Sequence, residues 1–155
     1  MKIGITFGVF DLLHLGHLVM LEEAKRHCDY LIVGLKTDSS DQTSEDCAAQ
    51  TVVERYIKLE GCQFVDQIIP YESEDDLMDM LQSLSIDIRF IGEEYKNEDF
   101  IGKQYGEEQG IAIHYTKRKH RFSSDALRSI VTEKELAKSM VLQAANKSPV
   151  LMQRR

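Results

Sequence analysis

The chain has 155 residues, 43% of them hydrophobic, which is enough to bury the core of one domain. Its formal net charge of -7 argues against a broad nucleic-acid-binding surface, which draws on clustered Lys and Arg. The three cysteines form no C-x-x-C pair, which argues against a disulfide framework and a structural zinc site, and no segment resembles a signal peptide or a membrane span. We therefore expect a cytoplasmic protein that binds neither nucleic acid nor membranes.

Short apolar runs rich in β-branched residues predict five β-strands, and segments with helical spacing follow each of them. The predicted strands are 2–7, 30–35, 65–70, 86–92 and 111–116, and the predicted helices are 17–28, 52–62, 74–84, 98–109 and 123–144. Because parallel strands need crossover connections, this alternation predicts an α/β, Rossmann-like fold, with an open parallel five-stranded sheet and helices on both faces. We expect one domain over residues 1–145 and a C-terminal tail over residues 146–155.

The turn after the first predicted strand carries the strongest functional signal. Residues 8–17 read GVFDLLHLGH, in which two glycines allow close backbone approach and two histidines lie three positions apart at a helix start. A helix N-terminus attracts phosphate, and imidazole N–H donors there can stabilise the charge that develops as pyrophosphate leaves. The dinucleotide fingerprint and the Walker loop are both absent, which argues against a nicotinamide dehydrogenase and an ATPase.

Residues 8–17 resemble the G-x-F-D-x-x-H-x-G-H motif, which contains HxGH, of the cytidylyltransferase-like nucleotidyltransferases. Within that family the chain is most similar to the glycerol-3-phosphate cytidylyltransferases, to about residue 130. The resemblance implies that His14 and His17 are catalytic and contact the nucleotide phosphates, and that Asp11 lies near the acceptor or a magnesium ion. The nucleotide site that it implies at this strand end comprises Thr6, Phe7, Gly8, Phe10 and Gly16.

Two later stretches extend the resemblance. Residues 53–59 resemble the helix that supplies an arginine to the acceptor phosphate, which makes Arg55 a substrate-binding candidate. Residues 91–96 resemble a G-D-D-W segment near the base and ribose, which implies nucleotide contacts by Gly92, Glu94 and Tyr95. Because Glu replaces both acidic residues and Tyr replaces Trp, the choice of base stays open between CTP and ATP.

The segment before the last predicted helix resembles the family's R-T-x-G-I-S-T-T element. By this resemblance Arg118 supplies catalytic charge to the triphosphate, while Ser123 and Ser124 cap the helix and hold the β- and γ-phosphates. Residues 117–121 read KRKHR, a local cationic cluster in an otherwise acidic chain.

The loop after the second strand departs from the family, since residues 41–50 contain no lysine where relatives carry one or two. Lys36, at the start of this loop, is therefore a further substrate-binding candidate. The expected activity is transfer of CMP from CTP to a phosphorylated small alcohol such as glycerol 3-phosphate, with release of pyrophosphate. Mg²⁺ is expected to arrive with the triphosphate, with no protein metal ligand assigned, and the family implies a homodimer.

Two alternatives stay open at this point. An adenylyltransferase acting on a sugar phosphate or a cofactor precursor would fit the altered segment at residues 93–95. A non-catalytic nucleotide-binding sensor would fit the loop that lacks lysine, because losing one phosphate clamp can cost orders of magnitude in rate.

Overall fold

The computed structural model describes residues 1–38, 47–117 and 124–147 of the chain. Over these ranges β-strands and α-helices alternate. In chain order they are β1 (Ile3–Gly8), α1 (Leu15–Arg26), β2 (Tyr30–Lys36), α2 (Val52–Glu60), β3 (Gln67–Tyr71), α3 (Glu74–Ser83), β4 (Ile88–Gly92), α4 (Lys103–Gln109), β5 (Ala112–Thr116) and α5 (Ser124–Lys147), with a 3-10 turn, Glu93–Tyr95, after β4.

The strands form one parallel sheet in the order β3-β2-β1-β4-β5. The predicted α/β, Rossmann-like fold with five parallel strands is therefore confirmed. Strand order reverses between β1 and β4, and in open parallel sheets ligands bind in the crevice at this point, beyond the carboxyl ends of the strands. The fold thus places the turn after β1 and the turn after β4 on either side of one crevice.

Side chains alternate between the two faces of the sheet along each strand, and apolar strand residues lie on both faces. Helices therefore cover both faces. On one face the strands pack against α1 and α2, with Leu21 and Leu59 fully buried. On the other face they pack against α3 and the segment around α4, around Ile5 and Leu81. A capping box starts α2, where Thr51 accepts the Glu54 N–H, and another starts α3. The elements that flank the crevice thus rest on two apolar layers.

The prediction of a helix from residue 98 was wrong, since α4 starts five residues later at Lys103. Gly102 has φ 78°, a left-handed conformation that ends any continuous helix before it. Phe100 lies instead against the sheet, with its ring centroid 5.1 Å from the buried guanidinium of Arg89. At the other end of the chain α5 runs to Lys147, so the expected domain boundary at residue 145 falls inside its last turn.

No helix in the described ranges is long and apolar enough to cross a membrane.

Candidate functional site

The two motif histidines lie together at the start of α1, at the mouth of the crevice. His14 is the N-cap residue, and the Gly16 N–H donates to its Nδ1 (3.0 Å). The His14 N–H donates to Nδ1 of His17 (3.3 Å), and the two rings stack with centroids 3.9 Å apart. Because each Nδ1 accepts a backbone N–H, each neutral ring carries its proton on Nε2. The pair is therefore a fixed arrangement of two Nε2–H donors beside a helix N-terminus.

The turn that leads to these histidines adopts an unusual backbone conformation. Phe10 has φ 51° and Leu12 has φ 49°, both in the left-handed region that non-glycine residues rarely occupy. Such conformations cost about 1–3 kcal/mol each and persist only where the surroundings hold them. The Phe10 ring is buried, and its centroid lies 5.3 Å from that of His17. Contacts around this turn therefore set where the histidines point.

Asp11 supplies several of these contacts. Its Oδ2 accepts the Ala49 N–H (2.8 Å) and an N–H of Arg128, and its Oδ1 accepts the Gln50 N–H (3.0 Å). Burial by itself would raise the pKa of the Asp11 carboxyl, but these hydrogen bonds and the Arg128 charge lower it below its usual value. Asp11 therefore joins the turn after β1 to the segment before α2 and to α5. In this arrangement both carboxylate oxygens already accept N–H groups of the protein.

Arg55 makes a second set of contacts from beneath the site. The side chain is fully buried, and its NH1 donates to the backbone oxygens of Val9 (2.8 Å) and Lys36 (2.6 Å). Its Nε donates to the Gln50 carbonyl (3.1 Å), and its NH2 pairs with the Asp38 carboxylate (3.0 Å). This geometry gives Arg55 a structural role at the ends of β1 and β2. Its contact with an acceptor phosphate stays a prediction.

Other candidates along β1 are placed in different surroundings. Thr6 is buried on the α1 side of the sheet. The Phe7 ring lies on the opposite face, where Arg89 packs on it at 5.1 Å and Tyr71 meets it edge to face at 5.5 Å. Gly8 ends the strand, where a Cβ atom would lie 3.0 Å from the Phe10 ring. Phe10 therefore lies beside His17 and Gly8 lies beside the Phe10 ring, whereas the Phe7 side chain lies on the other face of the sheet.

The turn after β4 forms the other wall of the crevice. Gly92 precedes the 3-10 turn, and the Glu94 carboxylate folds back to within 2.3 Å of where a Cβ atom on residue 92 would lie. Glu94 and Tyr95 are exposed. The predicted base-side residues therefore lie together at the end of β4, one strand away from the turn that carries the histidines.

Comparison with known proteins agrees with this architecture. Residues 5–141 match the sequence profile of the family described as Cytidylyltransferase-like. The chain belongs to this family. It is similar to the glycerol-3-phosphate cytidylyltransferase of Bacillus spizizenii, at 38% identity over 108 residues that cover 69% of this chain and 83% of that protein. The protein of the same name from Staphylococcus aureus is 34% identical and is covered over 77% of its length, against 65% of this chain.

A solved structure also has a similar fold. The lipopolysaccharide core biosynthesis protein of Thermoplasma volcanium is 26% identical and has a TM-score of 0.60, covering 77% of this chain and 97% of that one.

Several candidates that rest on the family resemblance lie outside the described residues. Residues 118–123, which include Arg118 and Ser123, are not among the described residues. The same is true of residues 41–46, which make up most of the loop that lacks lysine. Ser124 is the first residue of α5, as expected for the start of this helix. Lys36 ends β2 and is partly exposed. The triphosphate contacts expected of Arg118, Ser123 and Ser124 thus stay predictions.

Sequence reasoning missed two residues that this cytidylyltransferase-like site depends on. Gln50 contacts the turn after β1 through its side chain and its backbone, and Arg128 reaches Asp11 from α5. The Gln50 signal is faint, because one polar residue in a polar loop is unremarkable on its own. Arg128 is 117 positions away from its partner, so no local spacing could have indicated the pair.

Proposed function

We infer that this enzyme transfers CMP from CTP to a phosphorylated small alcohol resembling glycerol 3-phosphate and releases pyrophosphate. The observation that carries the inference is the pair His14 and His17 at the N-terminus of α1, at the strand-order reversal of a cytidylyltransferase-like chain. Two relatives that bear the name glycerol-3-phosphate cytidylyltransferase support this choice of nucleotide and acceptor.

The chemistry follows from what the two rings present to the crevice. An oxygen of the acceptor phosphate attacks the α-phosphorus of the nucleotide in line with the departing pyrophosphate. A phosphate nucleophile is already anionic at neutral pH, so no general base is needed. The Nε2–H groups of His14 and His17 and the helix N-terminus stabilise negative charge on the α-phosphate and the leaving group. Catalysis then rests on positioning and charge stabilisation.

The remaining phosphate contacts complete the proposal. Arg118 and Lys36 supply cationic charge, and Ser123 and Ser124 bind the terminal phosphates at the start of α5. The N-terminal end of α5 lies near the site, because Arg128, one turn after the first residue of the helix, contacts Asp11. The family resemblance supports these assignments.

Mg²⁺ is proposed as a partner of the nucleotide. The described residues contain no group of three or more side chains able to hold a metal, and the Asp11 oxygens already accept N–H groups. Such a donor set does not fit a dedicated protein cage. Mg²⁺ commonly binds substrate phosphates and keeps several waters, so the triphosphate oxygens would supply most of its ligands.

We propose a homodimer and a cytoplasmic location. The outer face of α5 supports the dimer, because Leu127, Ile130 and Val141 recur at helical spacing and are 38%, 47% and 69% exposed. A second copy of α5 would cover this stripe. The three cysteines are free, as suits a reducing compartment.

The dimer can be tested by analytical ultracentrifugation. Ile130→Glu combined with Val141→Glu is expected to give a monomer. Leu136→Glu, on another side of the same helix and 60% exposed, is the matched control and should leave the dimer intact. A monomeric wild-type protein would refute the proposal.

Turnover is tested by following pyrophosphate release with Mg²⁺, each of the four nucleoside triphosphates, and glycerol 3-phosphate, phosphocholine, phosphoethanolamine or a sugar phosphate. Release with CTP and glycerol 3-phosphate is the expected result. Release with ATP alone would favour an adenylyltransferase, and binding without release from any pair would favour a sensor.

A further inference from the structure

Gln50 connects the turn after β1 to Arg55 of α2 through three of its four polar groups. Its side-chain Oε1 accepts the Leu12 N–H (3.1 Å), its own N–H donates to Asp11 Oδ1 (3.0 Å), and its carbonyl accepts Nε of Arg55 (3.1 Å). The residue is partly buried and lies in the segment just before α2. One residue thus joins the turn, the motif carboxylate and the buried arginine.

The side-chain bond reaches the turn where its backbone is least favourable. Leu12 has φ 49°, and its N–H is one of the few groups through which a neighbour can hold that conformation. His14 follows two residues later, and its own N–H and ring orient both imidazoles. Only Leu13 separates Leu12 from His14, so a backbone change at Leu12 is expected to shift the Nε2–H donors.

We propose that Gln50 is a positioning residue for nucleotidyl transfer, acting through its Oε1 contact with the Leu12 N–H to fix His14 and His17. The inference deepens the proposed function and rests on it. Gln50 touches no substrate in this account. Its substitution should therefore lower kcat and leave KM for both substrates nearly unchanged, because the donors are displaced where charge develops in the transition state.

The test compares two substitutions whose side chains are about as long as that of Gln50. Gln50→Met keeps the shape and removes the acceptor, whereas Gln50→Glu keeps an oxygen acceptor at the same position. We expect Gln50→Met to lower kcat about tenfold, with both KM values within about twofold, and Gln50→Glu to recover most of that loss. Gln109→Met, at the exposed end of α4 on the opposite face of the sheet, is the matched control and should match the wild type.

A second readout needs no turnover and so separates this proposal from the proposed function. Amide hydrogen exchange at Leu12 should speed up at least tenfold in Gln50→Met and stay near the wild-type rate in Gln50→Glu, with core amides such as Val33 unchanged. If the wild type proves inactive on every substrate pair, this exchange pattern still tests the contact. Unchanged kcat and unchanged Leu12 exchange in Gln50→Met would overturn the inference, as would equal losses in the two variants or a loss confined to KM.

Discussion

Replacing Asp11 with Asn tests whether this carboxylate holds the site together. The asparagine side chain has one oxygen where Asp11 has two, so its amide group must face either the Gln50 N–H or the Ala49 N–H and Arg128. A donor then meets a donor, and the ion pair with Arg128 is lost. Hydrogen bonds to charged groups contribute about 1.5–3 kcal/mol each, and one is lost outright while the others weaken. We expect a destabilisation of about 2–4 kcal/mol, or roughly 5–15 °C in Tm for a chain of this size.

The assay is urea unfolding at pH 7 of wild type, Asp11→Asn and the control Asp79→Asn, which changes an exposed carboxylate of α3. The control should stay within about 0.5 kcal/mol of the wild type. A free-energy difference below about 0.5 kcal/mol for Asp11→Asn would refute the assigned role.

The pH dependence of the same pair of proteins gives an independent check. The pKa of Asp11 is lower in the folded state than in the unfolded state, where it is about 4. The ionised carboxylate therefore contributes fully to the free energy of unfolding above about pH 4, and this contribution is lost as the pH falls through the pKa of the folded state. The difference in the free energy of unfolding between wild type and Asp11→Asn should therefore become smaller as the pH falls below about 4. A gap that stays constant over that range would contradict the pKa assignment.

Four further substitutions probe the site and its support. His14→Ala and His17→Ala should each lower kcat about a hundredfold or more in steady-state assays, since each removes a transition-state donor; near-normal turnover in both would remove the centre of the mechanism. Arg55→Met should destabilise by about 3–5 kcal/mol in urea unfolding, because three backbone carbonyls lose a buried donor; a cost under about 1 kcal/mol would contradict its structural role. Leu59→Ala should cost about 2–5 kcal/mol by cavity formation, and a cost near zero would mean that α2 does not pack as described.

The fold was predictable because its signals are local. Each strand of the sheet is a contiguous apolar run, and each of the first three helices lies between two such runs, so order and type followed from periodicity. Boundaries were less accurate where one residue decides them. Because Gly102 is left-handed, α4 starts at Lys103 and not at the predicted residue 98. Because His14 is the N-cap of α1, this helix starts at Leu15 and not at the predicted residue 17.

The meeting of His14 and His17 was also predictable, but the contacts of the neighbouring side chains were not. His14 and His17 are close in sequence and share one helix start, so their meeting is a local fact. The substrate contacts expected of Asp11 and Arg55 stay predictions, and both residues have partners far along the chain, among them Asp38 and Arg128. Which way a polar side chain turns depends on donors that the fold brings in from far along the chain. The contact of Gln50 with the Leu12 N–H could not be predicted for the same reason, since the two residues are 38 positions apart.

The most direct test of the central claim is to observe the transferred group itself. Wild-type protein is incubated with Mg²⁺, glycerol 3-phosphate and CTP labelled at the α-phosphorus, and the products are followed by ³¹P NMR and mass spectrometry. The account predicts a labelled cytidine diphosphate ester of glycerol, formed in step with pyrophosphate and reduced about a hundredfold or more in His14→Ala. Label that stays in CTP while the protein binds the nucleotide, or ester formed at the same rate by His14→Ala, would contradict it.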